Sequence, residues 1–231
     1  MIEINKDISL IDTAVYIKSI ETLSISDMHL GYEEMLHKKG ILTPKFQFKD
    51  AKKRIIKIFG EVKVKRLILN GDLKHTFGRI QDSEWSEILR FIEFAFEYVK
   101  EIIIITGNHD VTLNPILKKK NMKTMKCFED NNYLFAHGDE MIETDKTIII
   151  GHNHPAITIS DGIRHEKYKC FIRSDKIIMQ PSFHYITIGS DILKNELTSP
   201  YLKNTDSSKW HIYIVNDDGE VMDFGKNSTS Q

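Results

Sequence analysis

Cysteine is nearly absent from this chain. Only Cys127 and Cys170 occur, neither in a C-x-x-C pair, which excludes a disulfide framework and reads as two reduced, small apolar residues. A charge imbalance is lacking too: 32 Lys+Arg against 33 Asp+Glu leave a net −1, so no overall basic field announces nucleic acid. No apolar run approaches the ~18 residues of a membrane helix. Met1 to Leu10 carries Glu3, Lys6 and Asp7 where a signal peptide would be uninterrupted and apolar. There is no G-x-G-x-x-G and no P-loop lysine, which argues against a nucleotide-binding α/β domain. Nor is there an internal repeat, a low-complexity tract or a linker. These absences leave a cytoplasmic chain without membrane contact.

With 231 residues, 41% hydrophobic and 28% charged, the composition is that of an ordinary globular protein. It reads as one domain over 1–231, its Gly-, Ser- and Asn-containing end from 225 to 231 a frayed tail. Apolar, β-branched runs at Thr22–Ile25, Arg66–Leu69, Ile102–Thr106, Tyr133–Ala136 and Thr147–Ile150 predict strands. Gln47–Phe59 and Ser83–Val99 carry apolar residues at helical spacing, the first closed by Gly60, the second capped by Asp82 or Ser83. Thr112–Lys119 predicts a short helix, and Val15–Ile17, Lys126–Phe128, Arg164–Ile172, Ile177–Gln180, Trp210–Val215 and Val221–Phe224 further strands. Alternating strands and helices in the first half, then many strands, predict a layered α/β fold. The lysines at 118–120, 123 and 126 read as a solvated face, with phosphate contact the minority reading.

The composition's oddity is ten histidines, many beside Gly, Asp or Asn. Five of the strands end in Asp27-x-His29, Gly71-Asp72, Gly107-Asn108-His109-Asp110, His137-Gly138 and Gly151-His152-x-His154. Each is unremarkable alone; a Gly-Asn turn followed by a surface His would look the same. As a set they would require five coincidences. Strand carboxyl ends are where open α/β sheets bind ligands, and the i, i+2 spacing of Asp27 and His29 puts both on one face of an extended chain.

Imidazole, carboxylate and amide oxygen without thiolate suit Mn, Fe, Zn, Ni or Co better than an all-oxygen Ca or Mg cage. The groups outnumber what one ion can use. Two divalent ions ~3.5–4 Å apart with a shared carboxylate fit better, a pair that clamps a phosphoryl group. Mn²⁺ is the leading choice, with Fe, Zn, Ni and Co as alternatives.

In this order the five motifs resemble those of the calcineurin-like metallophosphoesterase superfamily. Ser26–Tyr32 and Gly71–His75 are similar to its SbcD-related archaeal group, relatives of a DNA-repair nuclease subunit. The resemblance implies a four-layer αββα sandwich and a binuclear-metal phosphoesterase acting on phosphodiesters, with nuclease activity in view. It implies that Asp27, His29 and His154 bind one metal, that Asn108, His137 and His152 bind the other, and that Asp72 bridges. His109 would protonate the leaving oxygen, with Asp110 orienting it. His75 stands where many superfamily members have Asp or Glu, as a substrate contact or in support of the ligands. His184, coming after a strand, is a further candidate, while His37, His165 and His211 match no motif. The implied partner is a phosphodiester, DNA or a short oligonucleotide among the candidates; a homodimer and an ATPase partner stay open. Nuclease relatives carry an added capping domain, for which the 231 − 154 = 77 residues after His154 leave little room. A small-molecule or cyclic-nucleotide phosphodiesterase is therefore the rival, and a non-catalytic scaffold on the same fold the more distant one.

Overall fold

The computed structural model describes residues 1–76, 78, 82–118, 120–160, 162–194, 197–203 and 205–227. Its strands are β1 (Ile2–Glu3), β2 (Ile8–Ile11), β3 (Ala14–Ile17), β4 (Thr22–Ile25), β5 (Arg66–Asn70), β6 (Glu101–Ile105), β7 (Thr124–Met125) and β8 (Cys127–Asp130). They continue as β9 (Tyr133–Ala136), β10 (Thr147–Ile150), β11 (Pro155–Ser160), β12 (His165–Ser174), β13 (Ile177–Met179), β14 (Ser190–Asp191), β15 (His211–Val215) and β16 (Val221–Lys226). The helices are α1 (Tyr32–Lys38), α2 (Gln47–Glu61), α3 (Asp82–Phe96), α4 (Asn114–Lys118) and α5 (Pro200–Lys203).

Among the described residues these strands form two sheets. The first runs β1 to β7 in chain order, and β4, β5, β6 and β7 are parallel neighbours. The second is ordered β14-β11-β12-β13-β10-β9-β8, with β15 and β16 continuing from the other edge of β12. Within it β9, β10 and β13 are parallel. Parallel strands aligned this way bring their carboxyl ends to a common rim.

Strand β4 is buried throughout, and β5 and β6 are buried after their first residue, because both faces are covered. Leu67, Leu69 and Ile104 pack outward against Ile55 and Ile58 of α2 and Ile88, Phe91 and Ile92 of α3. Burying each such isoleucine contributes about 1.5–3 kcal/mol. Ile68, Ile103 and Ile105 face the other way and meet Phe135, Ile149 and Phe171 of the second sheet. The outer face of that sheet, including Leu134, Ile148 and Ile150, is covered by Ile192 and by Tyr201 and Leu202 of α5. The order is helices, sheet, sheet and a thin helical cover, which is the expected αββα sandwich. No described helix is long and apolar enough to cross a membrane.

Some boundaries differ from expectation. Helix α2 continues through Gly60 to Glu61 and is ended by the extended Val62; one glycine costs only about 1 kcal/mol in a helix anchored elsewhere. Its start is held by Glu33, whose carboxylate accepts the N–H groups of Phe46 and Gln47. Helix α3 stops at Phe96, and the side chains of Asp82 and Ser83, its expected caps, lie outside those described. The tail expected to fray from 225 is β16 as far as Lys226, and the Asn227 N–H donates to the Trp210 carbonyl. Residues 228–231 lie outside the described chain, as does Lys119 at the end of the expected helix, which forms over Asn114–Lys118.

Candidate metal centre

All five motifs arrive at one rim. Asp27 and His29 come after β4, Asp72 after β5, and Asn108 to Asp110 after β6. From the second sheet, His137 comes after β9 and His152 and His154 after β10. The backbone there is unusual: Asp27, His29, Asp72, His152 and His154 all have φ between 45° and 71°. Asp and His tolerate this left-handed region better than most residues, but strain held at several adjacent positions marks a functional site. It is fixed by bonds between loops, the Asp27 and His29 N–H groups donating to the carbonyls of Gly71 and Asp72. The approach is so close that a Cβ on Gly107 would lie 2.2 Å from Asp72 Oδ1. Gly107 therefore serves as a gap for a carboxylate.

Two clusters of donors result. His29 Nε2 lies 3.1 Å from His154 Nε2, which is 3.3 Å from Asp27 Oδ1. His137 Nε2 lies 3.1 Å from Asn108 Oδ1, 3.1 Å from His152 Nδ1 and 3.5 Å from Asp72 Oδ2. Asp72 Oδ2 stands between the clusters, 3.9 Å from His29 Nε2 and 3.8 Å from His109 Nε2. A ring N–H is one donor and can satisfy one of three converging acceptors. Lone pairs facing one another at these distances fit divalent cations placed among them. Asp27, His29 and His154 form one group able to hold an ion, and Asp27, Asp72 and His137 another.

Supporting contacts orient several of these rings. The other His152 nitrogen, Nε2, is 3.2 Å from the Thr198 hydroxyl, which also accepts from Asn153 Nδ2; that directs Nδ1 inward. Ser26 Oγ sits 2.5 Å from Asp27 Oδ2 and donates alternatively to the Asn70 carbonyl. Gln47 Nε2 donates to the carbonyls of Met28 and His29. Sequence reasoning missed Ser26, Gln47, Asn153 and Thr198, which carry no spacing signal. Only the position of Ser26 before Asp27 could have drawn notice.

Asp110 has backbone partners that its place in the sequence did not suggest. Its carboxylate accepts three backbone N–H groups, those of Leu73, Lys74 and Gly107, each at 3.1 Å. It thus ties the loop after β5 to the loop after β6. The ring of His109 meets the His75 carbonyl, 2.5 Å from Nδ1.

His75 and His184 both flank the cluster. The His75 ring is 5.4 Å from that of His29 and 5.8 Å from that of His109, with His29, His75 and His109 a third group of converging nitrogens. Burial, then the nearby His109, pushes its pKa down to about 4. His184 packs 5.7 Å from the His29 ring, but both its nitrogens are engaged, with the Ile186 N–H and the Thr187 hydroxyl. It is a wall rather than a ligand. His37 meets the Thr43 carbonyl, His211 pairs with Asp223 at 2.6 Å, and His165 is exposed. Of the lysine cluster, Lys120 and Lys126 pair with Glu93 and Glu140. A cavity of about 550 Å³ lined by Asp12, Arg54, Lys169 and Tyr185 shares no residue with the cluster. Donor chemistry, not volume, marks the site.

Charge at the cluster gives a pH prediction. Burial works against a charged His137 ring, but its contact with Asp72 and the charges of Asp27 and Asp72 outweigh it, lifting its pKa to about 9. Burial likewise opposes ionisation of Asp27, yet His154, His137 and His29 hold its pKa well below the carboxylate range. The folded His137 value lies above the ordinary 6.5. Its contribution to the stability of the metal-free chain is therefore full below pH 6.5 and lost as pH rises through 9. A cation at this position must displace the same proton. Mn²⁺ affinity should rise by up to about tenfold per pH unit between pH 7 and 8.5, with proton release visible calorimetrically in buffers of different ionisation enthalpy. An affinity that is flat with pH would remove His137 from the ligand set.

Parallel strands of two packed sheets thus deliver carboxylates and imidazoles to one rim, in groups able to hold a metal ion. The calcineurin-like phosphoesterase family model matches residues 21–202, and the chain belongs to that family. Among solved structures it is similar to the nuclease MPE of Pseudomonas putida, with a TM-score of 0.65, 18% identity, and coverage of 89% of this chain and 90% of that one. It also matches Yfce, a phosphoesterase from E. coli, with a TM-score of 0.43, 13% identity, and coverage of 89% and 99%. The likeness to the first concerns the fold. No curated protein sequence matches significantly.

Proposed function

We propose that this chain, as one domain, hydrolyses phosphodiester bonds with two divalent cations, Mn²⁺ foremost. Asp27, His29 and His154 would hold one, Asn108, His137 and His152 the other, and Asp72 would stand between them. The observation that carries the reading is the convergence of all these side chains, from both sheets, to within 4 Å of a neighbour. When bound, the cations supply Lewis-acid charge to phosphoryl oxygens and lower the pKa of water.

The chain's own residues supply the rest. His109 Nδ1 donates to the His75 carbonyl, which fixes the ring's orientation and turns Nε2 toward the cluster. From there Nε2 hands a proton to the leaving oxygen. Asp72 Oδ1, accepting the His109 N–H at 2.9 Å, fixes the backbone that carries this acid. A scaffold would not need a complete ligand set together with a positioned proton donor, and this favours catalysis.

A nuclease is the finer reading. It is supported by the similarity of Ser26–Tyr32 and Gly71–His75 to the SbcD-related group and by a fold shared over nine-tenths of the Pseudomonas putida nuclease MPE. The net charge of −1 keeps a small diester, including a cyclic nucleotide, as the second reading. The test is purified protein with Mn²⁺ on a bis-aryl phosphate, an aryl monoester, single-stranded DNA and cyclic nucleotides. Diester cleavage is expected, and His109→Ala should lower kcat by about 10²–10⁴-fold with metal content unchanged. A wild-type protein holding two metals yet inactive on the whole panel would overturn the proposal.

A further inference from the structure

His29 lacks the support that a metal-ligating histidine normally has. Among the described residues its Nδ1 is buried without a hydrogen-bond partner, whereas such rings usually donate their second N–H to a carbonyl or carboxylate. What holds the ring is packing: edge-on contacts with His75, His109, His154 and His184, centroids 4.9–5.7 Å away. Of these four, His184 alone lies outside the motifs and the loops that carry them, so what fixes His184 matters.

The segment Ser182–His184 crosses from the second sheet to the rim and is tied down on three sides. The Phe183 N–H donates to the Ser26 carbonyl at 2.7 Å. Arg54, anchored by Asp12 and Thr13, donates to the Phe183 carbonyl and stacks on its ring at 4.3 Å. Lys169, from β12, donates to the Ser182 carbonyl at 2.7 Å, the Ser182 hydroxyl at 3.0 Å and the His184 carbonyl. Alternation along β12 puts Lys169 on the face of Phe171, which lies in the core between the sheets. A lysine ammonium has three protons, and here all three go to this one segment.

We propose that Lys169 is a positioning residue for His29: its ammonium fixes the Ser182–His184 segment, and the His184 ring fixes that of His29. The inference rests on His29 being a metal ligand, as proposed above. It differs from a merely structural role in its selectivity. Loss of Lys169 should weaken the Asp27–His29–His154 position and spare the Asn108–His137–His152 position.

The full chain, titrated with Mn²⁺ alone and read by the paramagnetic resonance of the free ion, tests this. Wild type should bind two ions. Lys169→Met should bind one as before and the other about tenfold to a hundredfold more weakly, Lys169→Arg should recover part of the loss, and His184→Leu should show the same selective weakening. In the double variant Lys169→Met/His184→Leu the losses should not add, since both act along one path. Two unaltered ions in Lys169→Met, or both ions weakened in parallel with a fall in melting temperature, would overturn the inference. Should Lys169→Met fail to fold, unaltered binding in His184→Leu would overturn it equally. A wild-type chain that binds no Mn²⁺ would instead overturn the metal reading on which it rests.

Discussion

Asp72→Ala should abolish measurable phosphodiester cleavage, a loss of at least about 10³-fold, because a lost clamp on a phosphoryl group is worth several kcal/mol of barrier. One Asp72 oxygen faces His29, His109 and His137 within 4 Å, and the other accepts the His109 N–H. The loss should therefore have two parts: metal content falls, and the proton donor loses its anchor. Asp72→Asn, which keeps the shape and removes the charge, separates them; it should retain the His109 contact but bind metal poorly. Steady-state rates on a bis-aryl phosphate, with metal content by elemental analysis, give both readouts. Activity within tenfold of wild type in Asp72→Ala would mean that the shared position belongs to another residue.

Asp110→Ala carries the second large effect, on stability. Its side chain is buried and accepts three backbone N–H groups from two loops. Removing it leaves those donors unpaired, at about 1–3 kcal/mol each before relaxation. Part of that is offset because an ionised Asp110 is itself costly. Burial, then the charge of Asp72, lifts its pKa from 3.8 to about 6 against the pull of the backbone donors. A net loss of about 3 kcal/mol is the expectation, read from urea unfolding of the metal-free chain. Between pH 3.8 and about 6 the folded wild type holds a proton that the unfolded chain has released, so its stability falls as pH rises. The gap between wild type and Asp110→Ala should narrow over that range. A gap under about 1 kcal/mol at every pH, less than one lost donor costs, would show that the two loops hold without it.

Much of the cluster is readable in the sequence because strands buried on both faces become continuous apolar runs. Thr22–Ile25, Arg66–Asn70 and Glu101–Ile105 could hardly be anything else, and the residues after each are polar by contrast. The short strands are not readable. Ile2–Glu3 and Ser190–Asp191 are strands only because a neighbour pairs with them, and two residues carry no period. Helix α1 starts after Gly31, with φ 88°, and is too short for periodicity to declare itself. The role of Asp110 is hidden because two of its partners, Leu73 and Lys74, lie more than thirty residues away. Lys169 offers no signal: one lysine among the charged residues of a long strand looks solvated until the other sheet is placed over it.

The two-sheet origin of the cluster also bears on the order of events during folding. His29 and His154 are 125 residues apart in sequence, and the strands between them must pair within their own sheets before the two rims coincide. Contacts of such separation form late, because the loop they close costs entropy that only an assembled core repays. A cation arriving early would find at most one sheet's share of ligands. Metal capture should therefore come after the docking of the sheets rather than nucleate it. Excess Mn²⁺ would then slow unfolding and leave the refolding rate unchanged.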